Sequence, residues 1–363
     1  MSEWKECKLG EIAEIISERV SISNATEDNY ISTENMINDF GGVVKAKKLP
    51  VVSSINSFFQ NDILFSNIRT YFRKVWLSKF NGTVSPDVLV FRAIEKKCIS
   101  KYLYYSLFNP DFTEYSVLTS KGAKMPRGDK DALLNYIIQL PPLSEQKSIA
   151  SVLSSLDDKI DLLHRQNATL EKMAETLFKQ WFVEEADDEW EEITFGDFVI
   201  PKKGKNITKS EAVAGNYPVV AGGLEPSCYH NEANTKSPVI TISASGANAG
   251  YVKLYTIPVW SSDSSYIDET ITPYVYFSYI FLRINQSQLS DKQEGSAQPH
   301  IYPRHIMELD TLDYPENLIC SFEESVKPFF LKIKSNQSQI QTLTALRDTL
   351  LPKLMSGEVR VEK

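Results

Sequence analysis

The sequence has few cysteines and histidines and no long uninterrupted apolar run. Its four cysteines, Cys7, Cys98, Cys228 and Cys320, are scattered without a CxxC pair, which predicts reduced thiols and no zinc site. The four histidines have no metal-ligand spacing, and we expect them to be structural or exposed. No run of 18 apolar residues is available to span a membrane, and the first residues carry no secretory signal. These absences predict a folded cytoplasmic protein that binds no membrane.

The sequence also lacks a convincing active site. Asn109-Pro110-Asp111-Phe112 resembles the Asn-Pro-Pro-aromatic tetrad with which methyltransferases hold an extruded adenine, but Asp111 replaces the second proline. No glycine-rich cofactor loop follows a predicted strand. Residues 245–250, SGANAG, lack the Lys-Ser/Thr ending of a phosphate-binding loop. They predict a turn between strands, with close approach to a ligand backbone as the alternative.

A nuclease-like pattern is present but badly spaced. Asp87 and Glu95, followed by Lys96 and Lys97, spell the two carboxylates and lysine of metal-dependent nucleases. Eight residues of extended strand would hold the two carboxylates ~26 Å apart, too far to share one metal ion without a sharp reversal. We therefore expect no catalytic residue, no metal and no cofactor bound by this chain.

Two long stretches with heptad spacing dominate what is present. Between Leu143 and Glu184 the apolar positions step by four and three residues, which predicts a coiled coil. Such a helix of about 40 residues is a rod roughly 60 Å long, and it needs a partner helix to bury its apolar stripe. The stripe, or seam, consists of Ile149, Leu153, Leu156, Ile160, Leu163, Asn167, Leu170, Ala174, Leu177 and Trp181.

The same pattern returns 173 residues later, so the chain contains an internal repeat. The second seam runs from Phe322 to Leu354 and is apolar in all but two places. If the rods pack antiparallel, seam residues face each other when their numbers sum to 503, which sets Asn167 against Asn336. A buried asparagine pair fixes alignment, because a slip leaves each amide against hydrocarbon. A loosely packed, hydrated centre is the alternative, and we expect Pro352 to kink or end the second helix near residue 351.

The globular segments that precede the two rods repeat as well. WKECKLGE at Trp4 returns as WEEITFGD at Trp190, and GAKMPRG at Gly122 returns as GSAQPHI at Gly295. Short runs rich in β-branched and aromatic residues alternate with helical patterns. The sequence thus predicts an α+β fold in which two mixed α/β domains are separated by two long helices that form an antiparallel coiled coil, with a pseudo-twofold internal repeat. The predicted segments are residues 1–142, 143–186, 187–315 and 316–363.

Basic residues concentrate in the first globular segment, although the net charge of the chain is −8. Residues 41–130 hold 15 Lys and Arg against 6 Asp and Glu, a local charge of +9. A solvated face is one interpretation, but the clusters favour nucleic acid because Lys and Arg neutralise phosphates, Arg reads guanine and Gln reads adenine. The candidate DNA-binding residues are Arg69, Tyr71, Arg73, Lys74, Lys121, Lys124, Arg127, Lys130, Lys202, Lys203, Lys205, Gln293, Gln298, His300, Tyr302 and Arg304.

The order globule, rod, globule, rod resembles the specificity subunit of type I restriction and modification systems. The resemblance covers the whole chain and rests on the P-L-x-E-Q-x-x-I-A opening of the first rod at Pro142 and the L-x-P-K-L-M-x-G-E ending at Leu350. It implies two target recognition domains, each reading half of a bipartite double-stranded DNA sequence. It also implies assembly with two methyltransferase subunits, which hold S-adenosylmethionine, and with restriction subunits where these are present.

One departure from the family pattern is visible. Residues 314–317, Tyr-Pro-Glu-Asn, replace the P-L-x-E-Q opening at the second rod, which leaves open whether a partner docks identically at both rods. The resemblance implies a non-catalytic DNA-recognition subunit of an adenine methyltransferase and endonuclease complex. The alternatives are the specificity subunit of a methylation-only system, a coiled-coil scaffold without sequence-selective DNA binding, and a stand-alone nuclease that would lose Mg²⁺-dependent cleavage on Asp87→Ala.

Overall fold

A computed structural model describes residues 4–295 and 298–361. The chain divides into unit 1, Met1–Asp161 with Ile340–Lys363, and unit 2, Leu162–Gln339. Each unit therefore takes one globular segment and a part of each rod.

Unit 1 carries the first globular segment. Its strands are β1 (Lys5–Lys8), β2 (Ala13–Ile16), β3 (Arg19–Ser21), β4 (Tyr30–Ile31), β5 (Ser54–Phe58), β6 (Ile63–Ser66), β7 (Val75–Leu77), β8 (Gly82–Val84), β9 (Val88–Ala93) and β10 (Ile137–Leu140). Its short helices are α1 (Leu9–Ile12), α2 (Ser100–Phe108), α3 (Pro110–Leu118) and α4 (Lys130–Leu134). The sheets have the orders β2-β9-β6-β7 and β3-β5-β8-β4, and β1 pairs with β10. The first rod, α5 (Leu143–Lys179), follows and continues as a π-helical turn, Gln180–Glu184.

Unit 2 carries the second globular segment. Its strands are β11 (Glu192–Thr194), β12 (Lys202–Lys203), β13 (Tyr217–Val220), β14 (Cys228–His230), β15 (Val239–Ser243), β16 (Val252–Tyr255), β17 (Trp260–Ser261), β18 (Ser264–Asp268) and β19 (Asp310–Leu312). Its short helices are α6 (Phe195–Phe198), α7 (Val275–Ile284), α8 (Gln286–Asp291) and α9 (Pro303–Met307). The sheets have the orders β12-β18-β15-β16 and β14-β13-β17, and β11 pairs with β19. The second rod is α10 (Glu316–Ser356).

The two units repeat one topology. The order β12-β18-β15-β16 matches β2-β9-β6-β7 strand for strand, and in each unit the first strand pairs with the strand that precedes the rod. The isolated bridges Lys121–Arg127 and Glu294–His300 lie 173 residues apart, as the repeat in the sequence requires. The α+β class and the internal repeat are thus confirmed.

Each unit packs its own rod segments against its own domain. In unit 1, Ile149 and Leu153 of α5 share a fully buried cluster with Leu351 and Leu354 of α10 and with helix α2. In unit 2, the aromatic residues Phe178, Phe182, Phe195, Phe277 and Phe322 form the centre of the core. Burying one such side chain stabilises a fold by ~1.5–3 kcal/mol, so the rods are part of the domain cores.

The rods pair antiparallel within each unit. The Asn336 side chain, which is fully buried, donates from Nδ2 to Oδ1 of Asn167 at 2.8 Å. The rings of Trp181 and Phe322, whose numbers also sum to 503, lie 5.9 Å apart. Of the two outcomes predicted for Pro352, an end of the second helix near residue 351 is wrong, because α10 continues through Pro352 to Ser356, and a kink stays a prediction. Burial of the apolar residues around Pro352 offsets the missing backbone hydrogen bond.

Candidate DNA-recognition surfaces

In unit 1 the two basic clusters come together. Ile68, two residues after the end of strand β6, forms a β-bridge with Arg127, and the backbone N–H of Arg69 donates to the carbonyl of Pro126 at 2.9 Å. These contacts join the loop between β6 and β7 to the loop before α4. We name the joined loops, residues 67–73 and 121–130, the first loop surface.

The second of these loops is a small hairpin. The backbone N–H groups of Lys121 and Arg127 donate to each other's carbonyls at 2.8 and 2.9 Å. Gly122 has φ +99°, a conformation that favours glycine, and the tip exposes Lys124. Lys121 forms an ion pair with Asp129, which holds the pKa of that carboxyl below its ordinary value. The hairpin therefore presents its side chains from a fixed backbone.

The first of these loops holds strained backbone. Arg69 and Arg73 are left-handed, with φ of 50° and 53°, and so are Asp39 and Phe40 in the segment that packs against them. The backbone N–H of Asp39 donates to Phe72 and that of Phe40 to Arg73, both at 3.0 Å. Left-handed non-glycine residues cost on the order of 1 kcal/mol each and persist where their surroundings enforce them. The loop is therefore held in shape before it meets a ligand.

Two of the predicted DNA-binding residues, Arg73 and Lys74, make contacts within the fold that support this loop. The Arg73 guanidinium lies 4.5 Å from the centroid of the Phe40 ring and 3.8 Å from Asp39. The Lys74 ammonium donates to the carbonyl of Thr33 at 2.6 Å, and burial lowers the pKa of Lys74. Both side chains are half-buried by these contacts. The predicted DNA-binding residues of the first loop surface that are exposed are Arg69, Tyr71, Lys121, Lys124, Arg127 and Lys130.

Unit 2 builds an equivalent surface. The backbone N–H of Gly246 donates to Pro299 at 3.0 Å, and that of Ile301 donates to Ala244 at 2.9 Å. Glu294 and His300 exchange backbone hydrogen bonds across the hairpin, as Lys121 and Arg127 do in unit 1. We name residues 244–250 with 293–304 the second loop surface; residues 296–297 lie outside the described chain. The stretch 245–250 is a turn between β15 and β16, as predicted.

The side chains of this surface divide in the same way. Gln293 donates to the carbonyl of Ala249 at 2.8 Å and so braces the loop. Arg304 donates to both carboxylate oxygens of Glu294 at 2.7 Å. The rings of His300 and Tyr302 are stacked, with centroids 6.0 Å apart, and Gln298 is exposed at the tip. Gln298, Tyr302 and Arg304 are exposed on this surface and His300 is half-buried, but Arg304 is already paired with Glu294.

Three lysines lie at the same end of the sheet. Strand β12, with Lys202 and Lys203 exposed, pairs with β18 so that Lys203 lies opposite Ser265. Lys205 follows, and its ammonium lies 5.9 Å from the Trp260 ring centroid. Strand β15 pairs with the same part of β18 and then enters residues 244–250. The lysines consequently flank the second loop surface with positive charge.

The nuclease-like and methyltransferase-like motifs have other roles. The Asp87 carboxylate forms an ion pair with Arg127, with 2.9 Å between Oδ1 and Nη2. Asn109 ends α2 and caps α3, and Phe112 is fully buried in the core. Within the described residues no group of three or more His, Cys, Asp or Glu side chains is arranged to hold a metal ion.

Gln146, in the P-L-x-E-Q motif, is an important residue that the sequence did not single out. Its side chain is 1% exposed and makes three hydrogen bonds. Oε1 accepts from the backbone N–H of Ile99, which precedes α2, and Nε2 donates to the carbonyls of Lys97 and Pro141. The motif thus ties the start of the rod to the start of a domain helix.

A different residue fills this role in unit 2. Glu323, on α10, accepts from the backbone N–H groups of Tyr276 and Phe277 at the start of α7, at 3.0 and 2.8 Å. Burial raises the pKa of Glu323 to about 7, against the opposing effect of these two donors and of Lys327. The second rod lacks the P-L-x-E-Q motif, and the contact between rod and domain helix that the Gln146 amide makes in unit 1 is made in unit 2 by the Glu323 carboxylate.

The ending motif packs beside the opening motif in unit 1. Leu351, Leu354 and Met355 of the ending belong to the same buried cluster as Ile149 of the opening. The Arg360 guanidinium lies 5.5 Å from the Trp4 ring centroid, and its Nε lies 4.0 Å from Glu145. The motif that opens the first rod and the motif that closes the second rod therefore form one packed site in unit 1, although they are far apart in the sequence.

A chain with two repeated α/β domains, each presenting a braced loop surface, and two pairing rods is built to recognise a ligand at two places. The family model described as type I restriction modification DNA specificity domain matches residues 1–172 and 187–309. The chain belongs to this family. Its members are the non-catalytic DNA-recognition components of type I restriction-modification systems, so the chain is a specificity subunit with two target recognition domains that assembles with other subunits and DNA.

Individual relatives agree. The MjaIX specificity subunit of Methanocaldococcus jannaschii is 30% identical over 309 residues, which are 73% of this chain and 70% of that protein. A putative type I specificity subunit of Mycoplasma pneumoniae is 23% identical over 97% of this chain and 96% of its own length. The crystal structure of the S subunit of a type I system from M. genitalium has the same fold, with a TM-score of 0.61 at 20% identity, covering 97% of this chain and 96% of that one. In the described part of the chain, no helix is long and apolar enough to cross a membrane.

Proposed function

We propose that the chain reads a bipartite double-stranded DNA target, with the first loop surface on one half-site and the second loop surface on the other. The observation that carries this proposal is that the two surfaces share one backbone construction but present different side chains. Among the predicted residues, unit 1 presents Arg, Lys and Tyr, whereas unit 2 presents Gln, His and Tyr together with one arginine, Arg304, that is paired with Glu294. Different groups on equivalent supports suit the reading of two different base sequences.

The proposed complex contains partners that supply the chemistry. Two methyltransferase subunits, which hold S-adenosylmethionine, modify adenines in the two half-sites, and restriction subunits join where the system has them. Four unpaired cysteines support action in the reducing cytoplasm. We propose further that the heptad rods set the number of base pairs between half-sites, so that one heptad inserted into each rod changes the spacer that is accepted.

A salt-dependence experiment tests the loop assignment. Lys124→Ala removes a charge from the tip of the first loop surface, and Lys96→Ala removes one from the turn after β9, at the opposite end of that strand from Asp87. Both lysines are exposed, so neither variant disturbs the core. The loss of one phosphate contact reduces the steepness of the plot of log K against log salt concentration by about 1.

We expect the assembled complex carrying Lys124→Ala to bind its target duplex more weakly, with a reduced salt slope, while Lys96→Ala behaves like wild type. Equal losses in both variants, or losses in Lys96→Ala alone, would place the DNA on another face. Wild-type complex without any salt-dependent, sequence-selective binding would contradict the proposed function itself.

A further inference from the structure

The ion pair between Asp87 and Arg127 stands out on the first loop surface because both partners have a fixed backbone. Arg127 is held by two hydrogen bonds to Lys121, and the Asp87 carbonyl accepts from the backbone N–H of Asn67 at 2.8 Å. The two side chains meet at 2.9 Å, and the Arg127 side chain remains 59% exposed. The guanidinium is therefore oriented by a carboxylate and still open to a ligand.

The contact leaves the donors of Arg127 available. A guanidinium has five N–H groups in a rigid fork, and in the described part of the chain the contact of Arg127 with a carboxylate is made by Nη2. A bidentate contact with O6 and N7 of guanine needs two parallel N–H groups, which remain free. A carboxylate beside the arginine also cancels its net charge, which makes the pair a poor phosphate contact. The chemistry thus favours a base edge over the DNA backbone.

Arg304 on the second loop surface provides the contrast. Its Nη2 donates to both oxygens of Glu294 at 2.7 Å, and its Nε donates to His305 at 3.1 Å. Two of its three nitrogens are engaged within the protein. An arginine held in this way supports the loop, whereas Arg127 is held at one nitrogen only.

We propose that Arg127 reads a guanine in the first half-site and that Asp87 is the positioning residue that orients it. This inference rests on the proposed function and assigns a specificity role to one pair within it. Asp87, which the sequence places in a nuclease-like pattern, then acts through Arg127 rather than through a metal ion.

The test uses the complex assembled with its methyltransferase subunits and a panel of duplexes in which each base pair of both half-sites is replaced in turn by the other three. Arg127→Lys keeps the charge but loses the fork, and Asp87→Asn keeps the shape but loses the charge. Lys96→Ala is the matched surface control. Methylation rates on the panel give the discrimination at every position, and thermal melting reports folding.

We expect Arg127→Lys to lose on the order of 5- to 150-fold discrimination at a single G·C pair of the first half-site. Asp87→Asn should lose part of the discrimination at the same pair, and Asp87→Glu should restore some of it. The second half-site should be read as in wild type by every variant. If Asp87→Asn has a lowered melting temperature, Arg127→Lys still decides whether Arg127 reads a base, because Arg127 is exposed and its replacement leaves the core intact.

Several outcomes would overturn the inference. A uniform loss over all sequences would make Arg127 a phosphate contact, and unchanged discrimination in Arg127→Lys would remove it from base reading. Normal discrimination in a folded Asp87→Asn complex would refute the positioning role. A wild-type complex that shows no half-site preference at all would instead contradict the proposed function.

Discussion

Gln146 gives the sharpest stability prediction, because one buried side chain holds three backbone groups. Gln146→Ala removes the hydrogen bonds to Ile99, Lys97 and Pro141, which are 3.1, 3.0 and 2.9 Å long. Each contributes ~1 kcal/mol net, and groups left buried without a partner cost a further ~1–3 kcal/mol. We therefore expect the free energy of unfolding of unit 1 to fall by ~3 kcal/mol or more.

Urea denaturation of the full chain, followed by a probe within unit 1, measures this change. Ser148→Ala is the matched control, since Ser148 is half-buried on the same helix and its hydroxyl donates to the carbonyl of Ser144, one turn earlier, at 3.2 Å. It should stay within ~0.5 kcal/mol of wild type. Gln146→Glu should be as harmful as Gln146→Ala at pH 7, because a carboxylate oxygen replaces the donor that faces two carbonyls. A loss below ~1 kcal/mol in Gln146→Ala would show that the three hydrogen bonds of this side chain do not stabilise unit 1.

Three further predictions concern the rods and the first loop surface. Asn336→Asp should lower the free energy of unfolding of unit 2 by ~2 kcal/mol or more in urea at pH 7, and by less at pH 4, where the new carboxyl is protonated. The loss should exceed that of Asn167→Asp, because Asn336 is fully buried and Asn167 is not. Equal losses in the two variants would contradict this. Burial raises the pKa of Glu323 from 4.5 to about 7. The protonated carboxyl therefore contributes ~3 kcal/mol to the free energy of unfolding, and this contribution is fully present below about pH 4.5 and is lost as the pH rises through about 7. Glu323→Gln should lack this pH dependence in urea titrations, and identical profiles for variant and wild type would exclude it. The free energy of unfolding of Arg69→Gly should exceed that of Arg69→Ala by ~1 kcal/mol, since φ at this position is 50°, a conformation that favours glycine. The reverse order in urea titrations would show that the left-handed backbone carries no cost.

The rods were the most predictable part of the fold. Heptad spacing and the offset of 173 residues depend on the order of apolar residues alone, and they led to the pairing of Asn167 with Asn336. Pro352 misled the prediction of the helix end, because a local backbone preference was outweighed by the burial of its neighbours in the unit 1 core.

The candidate surfaces were only partly predictable. Residue type selected the two basic clusters of unit 1, but nothing in the sequence shows that they join through Ile68 and Arg127. Arg69 and Arg73 look equivalent in sequence, yet the left-handed loop turns Arg73 onto Phe40 and leaves Arg69 exposed. Partners distant along the chain decide such outcomes, as Asp87 does for Arg127, and single-residue chemistry cannot anticipate them.

If each domain reads one half of a bipartite target, exchange of one domain should alter one half-site and leave the other unchanged. Residues 1–142 are replaced by the corresponding domain of another specificity subunit, the chimera is co-expressed with the methyltransferase subunit, and modified adenines are mapped across a genome. We expect one half-site to change while the other half-site and the spacer stay the same. A change in both half-sites, or in neither, would contradict it.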